Sequence, residues 1–139
     1  HDIHRVYTAI VYNQFATDEG TINKPIARHK TDRKKMAIDP NGRHAVTHYR
    51  VIERLKQNFS LVECELETGR THQIRVHMAS INHPLLGDEV YGPKQKPFAT
   101  QGQVLHAGVL GFDHPITGEY MEWHADLPDY FQGILKRLR

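Results

Sequence analysis

A chain of 139 residues that is 39% hydrophobic and 24% charged has the length and apolar content of one globular domain. No apolar run approaches the ~20 residues that span a bilayer and no signal peptide opens the chain, and a single cysteine fits a reducing compartment, so a cytoplasmic protein is expected. A formal charge of +2 says little about partners by itself, but Arg28, Lys30, Arg33, Lys34 and Lys35 crowd into one short stretch beside His29, offset only by Asp32.

In chain order, Arg5 to Tyr12 is strand-like and starts almost at the first residue, with no cap or turn before it. Such a start implies a fragment, or a chain whose earlier part is absent. The run becomes apolar on both faces toward its end, as a central strand does. Asp18-Glu19-Gly20 reads as a turn, and Thr21 to Ile26 as a short strand with Pro25 at its edge. The basic segment follows as a loop, either a solvated surface or a phosphate contact. Asp39-Pro40-Asn41-Gly42 is a strong turn signal whose Asn-Gly pair suits a tight hairpin. His44 to Leu55 alternates as a long strand, and Lys56-Gln57-Asn58 turns into the next, Phe59 to Glu67. There Val62, Cys64 and Leu66 share an apolar face, and Glu63, Glu65 and Glu67 share the other with Leu61. Cys64, the single cysteine, allows no internal disulfide and reads as a small core residue rather than a catalytic thiol.

Ile74, Met78 and Ile81 recur at helical spacing and His83-Pro84 would end that helix. Leu85 to Gly92 is turn-rich, and Pro93 to Gly102 is a polar loop. Val104 to Phe112 and Tyr120 to Ala125 read as strands around a turn at His114 to Gly118. Pro128 and Asp129 open a last amphipathic helix with Phe131, Ile134, Leu135 and Leu138 inward. The pattern predicts an α+β domain: a mixed, mostly antiparallel sheet with a few helices.

The chemistry concentrates in Glu67-Thr68-Gly69-Arg70-Thr71-His72-Gln73-Ile74-Arg75-Val76-His77, a polar loop between a strand and a helix, a common place to bind an anion. Arg75, between Ile74 and Val76, has a packed stem and needs an acidic partner. It forms an ordinary buried ion pair, holds a catalytic carboxylate ionised, or grips a phosphate. His72 and His77 are spaced i, i+5, which does not put two ligands on one helical face, so no metal site is assigned. His72 and Gln73 hydrogen-bond locally or to RNA. Tyr7 is either a core aromatic or a stacking platform for a base. Asp88 reads as a turn residue accepting backbone N–H groups.

Thr68-Gly69-Arg70-Thr71-His72-Gln73-Ile74-Arg75-Val76-His77 closely resembles the signature of the RluA-type pseudouridine synthases. Further segments match in order. Arg5-Val6-Tyr7-Thr8-Ala9 looks like the family's Lys/Arg-x-Tyr-x-Ala strand. Pro25 to Arg28, Arg33 to Ala37, Gly42 to Tyr49, His83 to Gly92, Leu105-His106-Ala107 and His114 to Gly118 follow. Met121 to Ala125 looks most like the branch acting on large-subunit ribosomal RNA.

The resemblance implies a pseudouridine synthase catalytic-domain fold and isomerisation of uridines in RNA by an aspartate-dependent, base-flipping mechanism. It implies a catalytic Arg75 paired with the nucleophilic aspartate, and a catalytic Tyr7 stacked on the flipped base. It implies Leu105 lining the base pocket, with Arg70, His72, Arg28, Arg33, Lys34 and Lys35 as RNA contacts. No cofactor is implied, and a monomer is expected. The family's nucleophile lies in a His-Arg-Leu-Asp motif that this sequence lacks, and Asp2 is too close to Tyr7 to replace it. The expectation is therefore the carboxy-terminal part of a catalytic domain, inactive alone. Two other readings stay open: a non-catalytic RNA-binding module, and a hydrolase or nuclease using His72, Arg75 and Asp88.

Overall fold

The computed structural model describes residues 3–95 and 97–139, so Asp2 lies outside the described residues. The strands are β1 (His4–Tyr12), β2 (Glu19–Asn23), β3 (Ile26–Arg28), β4 (Met36–Ile38), β5 (Val46–Arg54), β6 (Phe59–Leu66), β7 (Leu105–Asp113) and β8 (Tyr120–His124). The helices are α1 (Gln73–Ser80) and α2 (Asp129–Leu138). Six strands form one sheet in the order β2-β5-β6-β1-β7-β8, with each neighbouring pair antiparallel. β3 and β4 make a separate hairpin. This is the α+β arrangement predicted by the strand-rich pattern.

β1 runs through the middle, and its alternation divides the core. Ala9 and Val11 face a cluster holding Val62, Cys64 and Leu66 of β6 with Ile74 and Met78 of α1. Ile10 faces the opposite cluster, where Phe59 and Leu61 meet Phe131, Leu135 and Leu138 of α2. Burying side chains of this size contributes roughly 1.5–3 kcal/mol each. Both sheet faces are thus covered along the stretch of β1 that turns apolar on both sides. Cys64 is fully buried, and burial pushes its thiol up to about 12, so it is a core residue.

Three local readings are corrected. Glu19 and Gly20 are not a turn: they begin β2, pairing with Arg50 and Tyr49 of β5. Asn41-Gly42 does turn the chain, with the Gly42 N–H donating to the Asp39 carbonyl at 2.8 Å, but it makes no tight hairpin. Neither residue has positive φ, and the segments on both sides pair with Ile26 instead of each other. Gly42 is small because its backbone crosses Ile26: a Cβ would stand 2.6 Å from the Ile26 carbonyl carbon. Finally, α1 stops before His83-Pro84. Asn82 is left-handed (φ 68°), and the His83 N–H reaches the Met78 carbonyl at 2.8 Å while the Asn82 N–H reaches Ala79 at 3.1 Å. That is a Schellman ending, satisfying the last carbonyls of the helix.

A buried polar relay fixes α1 on β5. The Gln73 amide donates to the Val46 carbonyl (2.9 Å) and to Thr47 Oγ1 (3.0 Å). Thr47 Oγ1 lies 2.8 Å from His77 Nδ1, and His77 Nε2 lies 2.9 Å from the Lys24 carbonyl. A carbonyl only accepts, so His77 carries a proton on Nε2. Burial lowers its pKa below the ordinary histidine value of 6.5, so the ring is neutral at pH 7 and its Nδ1 accepts from the Thr47 hydroxyl. The unfolded chain binds a proton that the fold refuses. Stability is full above about pH 6.5 and falls as pH drops below it, by up to about 1.4 kcal/mol per pH unit for one proton. Urea denaturation between pH 7.5 and 5 should show this fall, and His77→Gln should flatten it; an unchanged slope in that variant would contradict a neutral buried His77.

Candidate active site

The site forms where the end of β6, the loop 67–72 and the first turn of α1 approach β1 and β7. Its walls are Arg5 and Tyr7 from β1, Leu66 and Gly69 to Arg75 without Thr71, Leu105 from β7 and Gln103 before it, around a cavity of ≈ 270 Å³. Register explains the grouping. Tyr7 pairs with Cys64 on one side and Ala107 on the other, and Ala9 pairs with Leu105. Paired residues point the same way, so Tyr7 and Leu105 share the face that carries α1. The β1–β7 register shifts between Val6 and Tyr7, with Gly108 as the extra residue, a bulge of the kind that re-aims side chains beside sites.

Arg75, in the first turn of α1, makes a bidentate ion pair with Asp88: Nε donates to Oδ2 at 2.8 Å and Nη2 to Oδ1 at 3.1 Å. The Asp88 side chain is 0% exposed and that of Arg75 12%. Asp88 Oδ1 also accepts the backbone N–H groups of Val90 (3.0 Å) and Tyr91 (3.1 Å), the turn role read from the sequence. Of the alternatives open for Arg75, the buried ion pair is present, and its partner is Asp88. With its oxygens occupied and buried, Asp88 is not placed to attack a substrate, which removes it from the hydrolase reading.

Tyr91 extends this pair. Its ring lies under the Arg75 guanidinium at 5.0 Å, and its hydroxyl accepts the Met36 N–H at 2.8 Å. The hydroxyl hydrogen is left for His72 Nδ1, 2.7 Å away, so the neutral His72 ring carries its proton on Nε2. Burial, followed by the Arg75 charge, lowers the His72 pKa and favours that neutral form. His72 is held left-handed at φ 56° just before α1, and no side chain caps the helix there.

The other sequence-predicted residues divide. Arg70 lines the cavity, with Nε donating to the His44 carbonyl at 2.8 Å. Gln73 takes the local alternative: besides its donors on β5, its Oε1 accepts from Thr68 Oγ1 (2.7 Å) and the Arg70 N–H (3.0 Å), and it is 3% exposed. Arg28, Arg33, Lys34 and Lys35 are not cavity walls. They lie on the β3–β4 hairpin, where Arg28 Nη1 donates to the Arg33 carbonyl at 3.1 Å and the Lys34 N–H to Asp32 at 3.2 Å. Tyr91 ties that hairpin beside the site through Met36, and the Arg28 charge is felt at His72. Sequence reading missed Arg5 as a wall residue, although it stands two positions before Tyr7 on the same strand, a period-2 signal. Gln103 carried no signal. Among the described residues, no group of three or more His, Cys, Asp or Glu is arranged to hold a metal ion.

The family profile described as RNA pseudouridylate synthase matches residues 1–80. The chain belongs to this family. It is 56% identical over 135 residues to an uncharacterised RNA pseudouridine synthase of Bacillus subtilis, YlyB, covering 97% of this chain and 44% of that protein. It is 47% identical over 149 residues to the ribosomal large subunit pseudouridine synthase D of Haemophilus influenzae, covering 99% of this chain and 45% of that protein. The chain thus spans less than half the length of these curated relatives. The solved structure of human RNA pseudouridylate synthase domain containing 1 superposes with a TM-score of 0.81 at 28% identity, covering 96% of this chain and 57% of that one. The fold is that of the pseudouridylate synthase domain.

Removing one member of a buried ion pair strands the other charge, at a cost of about 3–5 kcal/mol. Asp88→Asn keeps the shape and loses the charge, so its unfolding free energy in urea should fall by about that much. A loss below about 1 kcal/mol would mean that Arg75 finds another acceptor.

Proposed function

We propose that these 139 residues are the carboxy-terminal part of a pseudouridine synthase catalytic domain, and that the whole protein isomerises specific uridines to pseudouridine in RNA. Large-subunit ribosomal RNA is the proposed substrate, in keeping with the name of the Haemophilus influenzae relative. The proposed setting is a cytoplasmic monomer needing no cofactor. Among the described residues, no helix is long and apolar enough to cross a membrane. The observation that carries the reading is the convergence of Tyr7, Leu105 and Arg75, from three separate elements, on one base-sized cavity.

Isomerisation breaks the bond from C1′ to N1 of uracil and forms one from C1′ to C5; C5 gives up its hydrogen as a proton to solvent, and N1 takes up a proton in its place. The base must leave its stack first, at a cost of a few kcal/mol. In this reading Tyr7 gives the flipped ring an aromatic wall and Leu105 an apolar one. Arg75 has N–H groups beyond the two that Asp88 takes, and these face the task of holding a second carboxylate ionised, lowering an Asp pKa by ~1–3 units. That carboxylate is the nucleophilic aspartate implied by the family resemblance. Arg70 and His72 at the cavity, with Arg28, Arg33, Lys34 and Lys35 on the neighbouring hairpin, are the proposed RNA contacts. For the isolated chain, one observation favours the RNA-binding module: among the described residues, no Asp or Glu lines the cavity.

Tritium release from RNA labelled at uridine C5 tests the proposal. The whole protein should release tritium, Arg75→Ala should abolish release, and the isolated 139 residues should bind RNA without releasing any. Near-normal release by Arg75→Ala would remove Arg75 from its assigned role, and turnover by the isolated chain would refute its dependence on an outside aspartate.

A further inference from the structure

The cavity wall contains three guanidinium groups, and they differ in what they hold. Arg75 is tied to Asp88 and Arg70 Nε to the His44 carbonyl. Arg5 has no hydrogen-bond or ion-pair partner among the described residues, and its Nε is buried without one. Its guanidinium lies across Gly69 so closely that a Cβ there would stand 1.8 Å from Nη1. A half-buried cation, held over a glycine at the cavity edge and without an acceptor among the described residues, is arranged for an anion that enters the cavity.

We propose that Arg5 grips the phosphodiester next to the nucleotide whose base occupies the cavity. The inference rests on the RNA reading above. A volume of ≈ 270 Å³ is below the ~300–1,000 Å³ of sites that enclose drug-sized ligands, so it takes a ring and leaves the phosphates at the rim. Arg5 shares β1 and its face with Tyr7 two residues on, so the cation and the stacking ring are set at a fixed distance by the strand. The planar guanidinium matches phosphate geometry with two parallel N–H bonds.

The test is binding of a fluorescent RNA hairpin with loop uridines to the whole protein, titrated across 50–300 mM NaCl, with circular dichroism on each variant. Loss of one phosphate contact should lower the slope of log K against log[salt] by about 0.7–0.9, and this is expected for Arg5→Gln, with Arg5→Lys keeping the wild-type slope. Gly69→Ala has no left-handed φ to strain and displaces the Arg5 head while keeping its charge, so it should also weaken binding. If Arg5→Gln misfolds, Arg5→Lys and Gly69→Ala carry the test. Wild-type affinity and slope in Arg5→Gln, or in Gly69→Ala wild-type affinity, would overturn the proposal. So would an unchanged slope with lost tritium release and a shifted pH profile, which would assign Arg5 to a carboxylate. Failure of the wild-type protein to bind the hairpin would instead overturn the RNA reading itself.

Discussion

The Arg75–Asp88 ion pair holds the site together. Two charges taken out of water are tolerated only when their bonds are complete, and here they are: Arg75 gives two N–H groups to a carboxylate that also accepts two backbone N–H groups from its own turn. The pair pins the first turn of α1 to the 85–92 segment. Tyr91 leaves that same turn to meet the Arg75 guanidinium, the Met36 N–H and His72. One buried pair therefore sets the positions of the helix start, the basic hairpin and the imidazole at the cavity.

Polar groups around α1 have two fates. Gln73, Thr47 and His77 bond one another and the backbone, so their chemistry is used in holding the helix on β5. Arg5, Arg70, His72 and Arg75 reach the cavity wall with N–H groups still to give. A single eleven-residue stretch supplies members of both groups. Its polar density combines side chains used up in holding the helix with side chains that line the cavity.

Much of the fold was legible because alternation is local. The two faces of β1 and β6 and the inward side of α2 follow from period 2 and period 3.6, and burial matches them. The failures are long-range or depend on backbone φ. Glu19 and Gly20 look like a turn until β5 is there to pair them. Asn82, not the proline two residues later, ends α1 because a left-handed residue completes the last carbonyl bonds. For the site, Arg75 declared its need for a partner by its apolar neighbours. That the partner is Asp88 could not be read, since only tertiary contact brings the 85–92 turn to α1. Tyr7, Leu105 and Arg70 were placed by family resemblance; the basic segment stood out by charge density and by the same resemblance, but it read as a loop, and the pairing of β3 with β4 is what makes it a hairpin.

The central claim is that the cavity between β1, β7 and the start of α1 takes a uridine base. The most direct measurement is an NMR titration of the isotope-labelled chain with a short RNA carrying one looped-out uridine. Resonances of Tyr7, Leu105, Ile74 and the Arg75 side chain should shift together and saturate together. The Trp123 and Met121 signals of the exposed β8 should stay in place. Shifts confined to β8 or to the hairpin, with the cavity residues unmoved, would contradict the account.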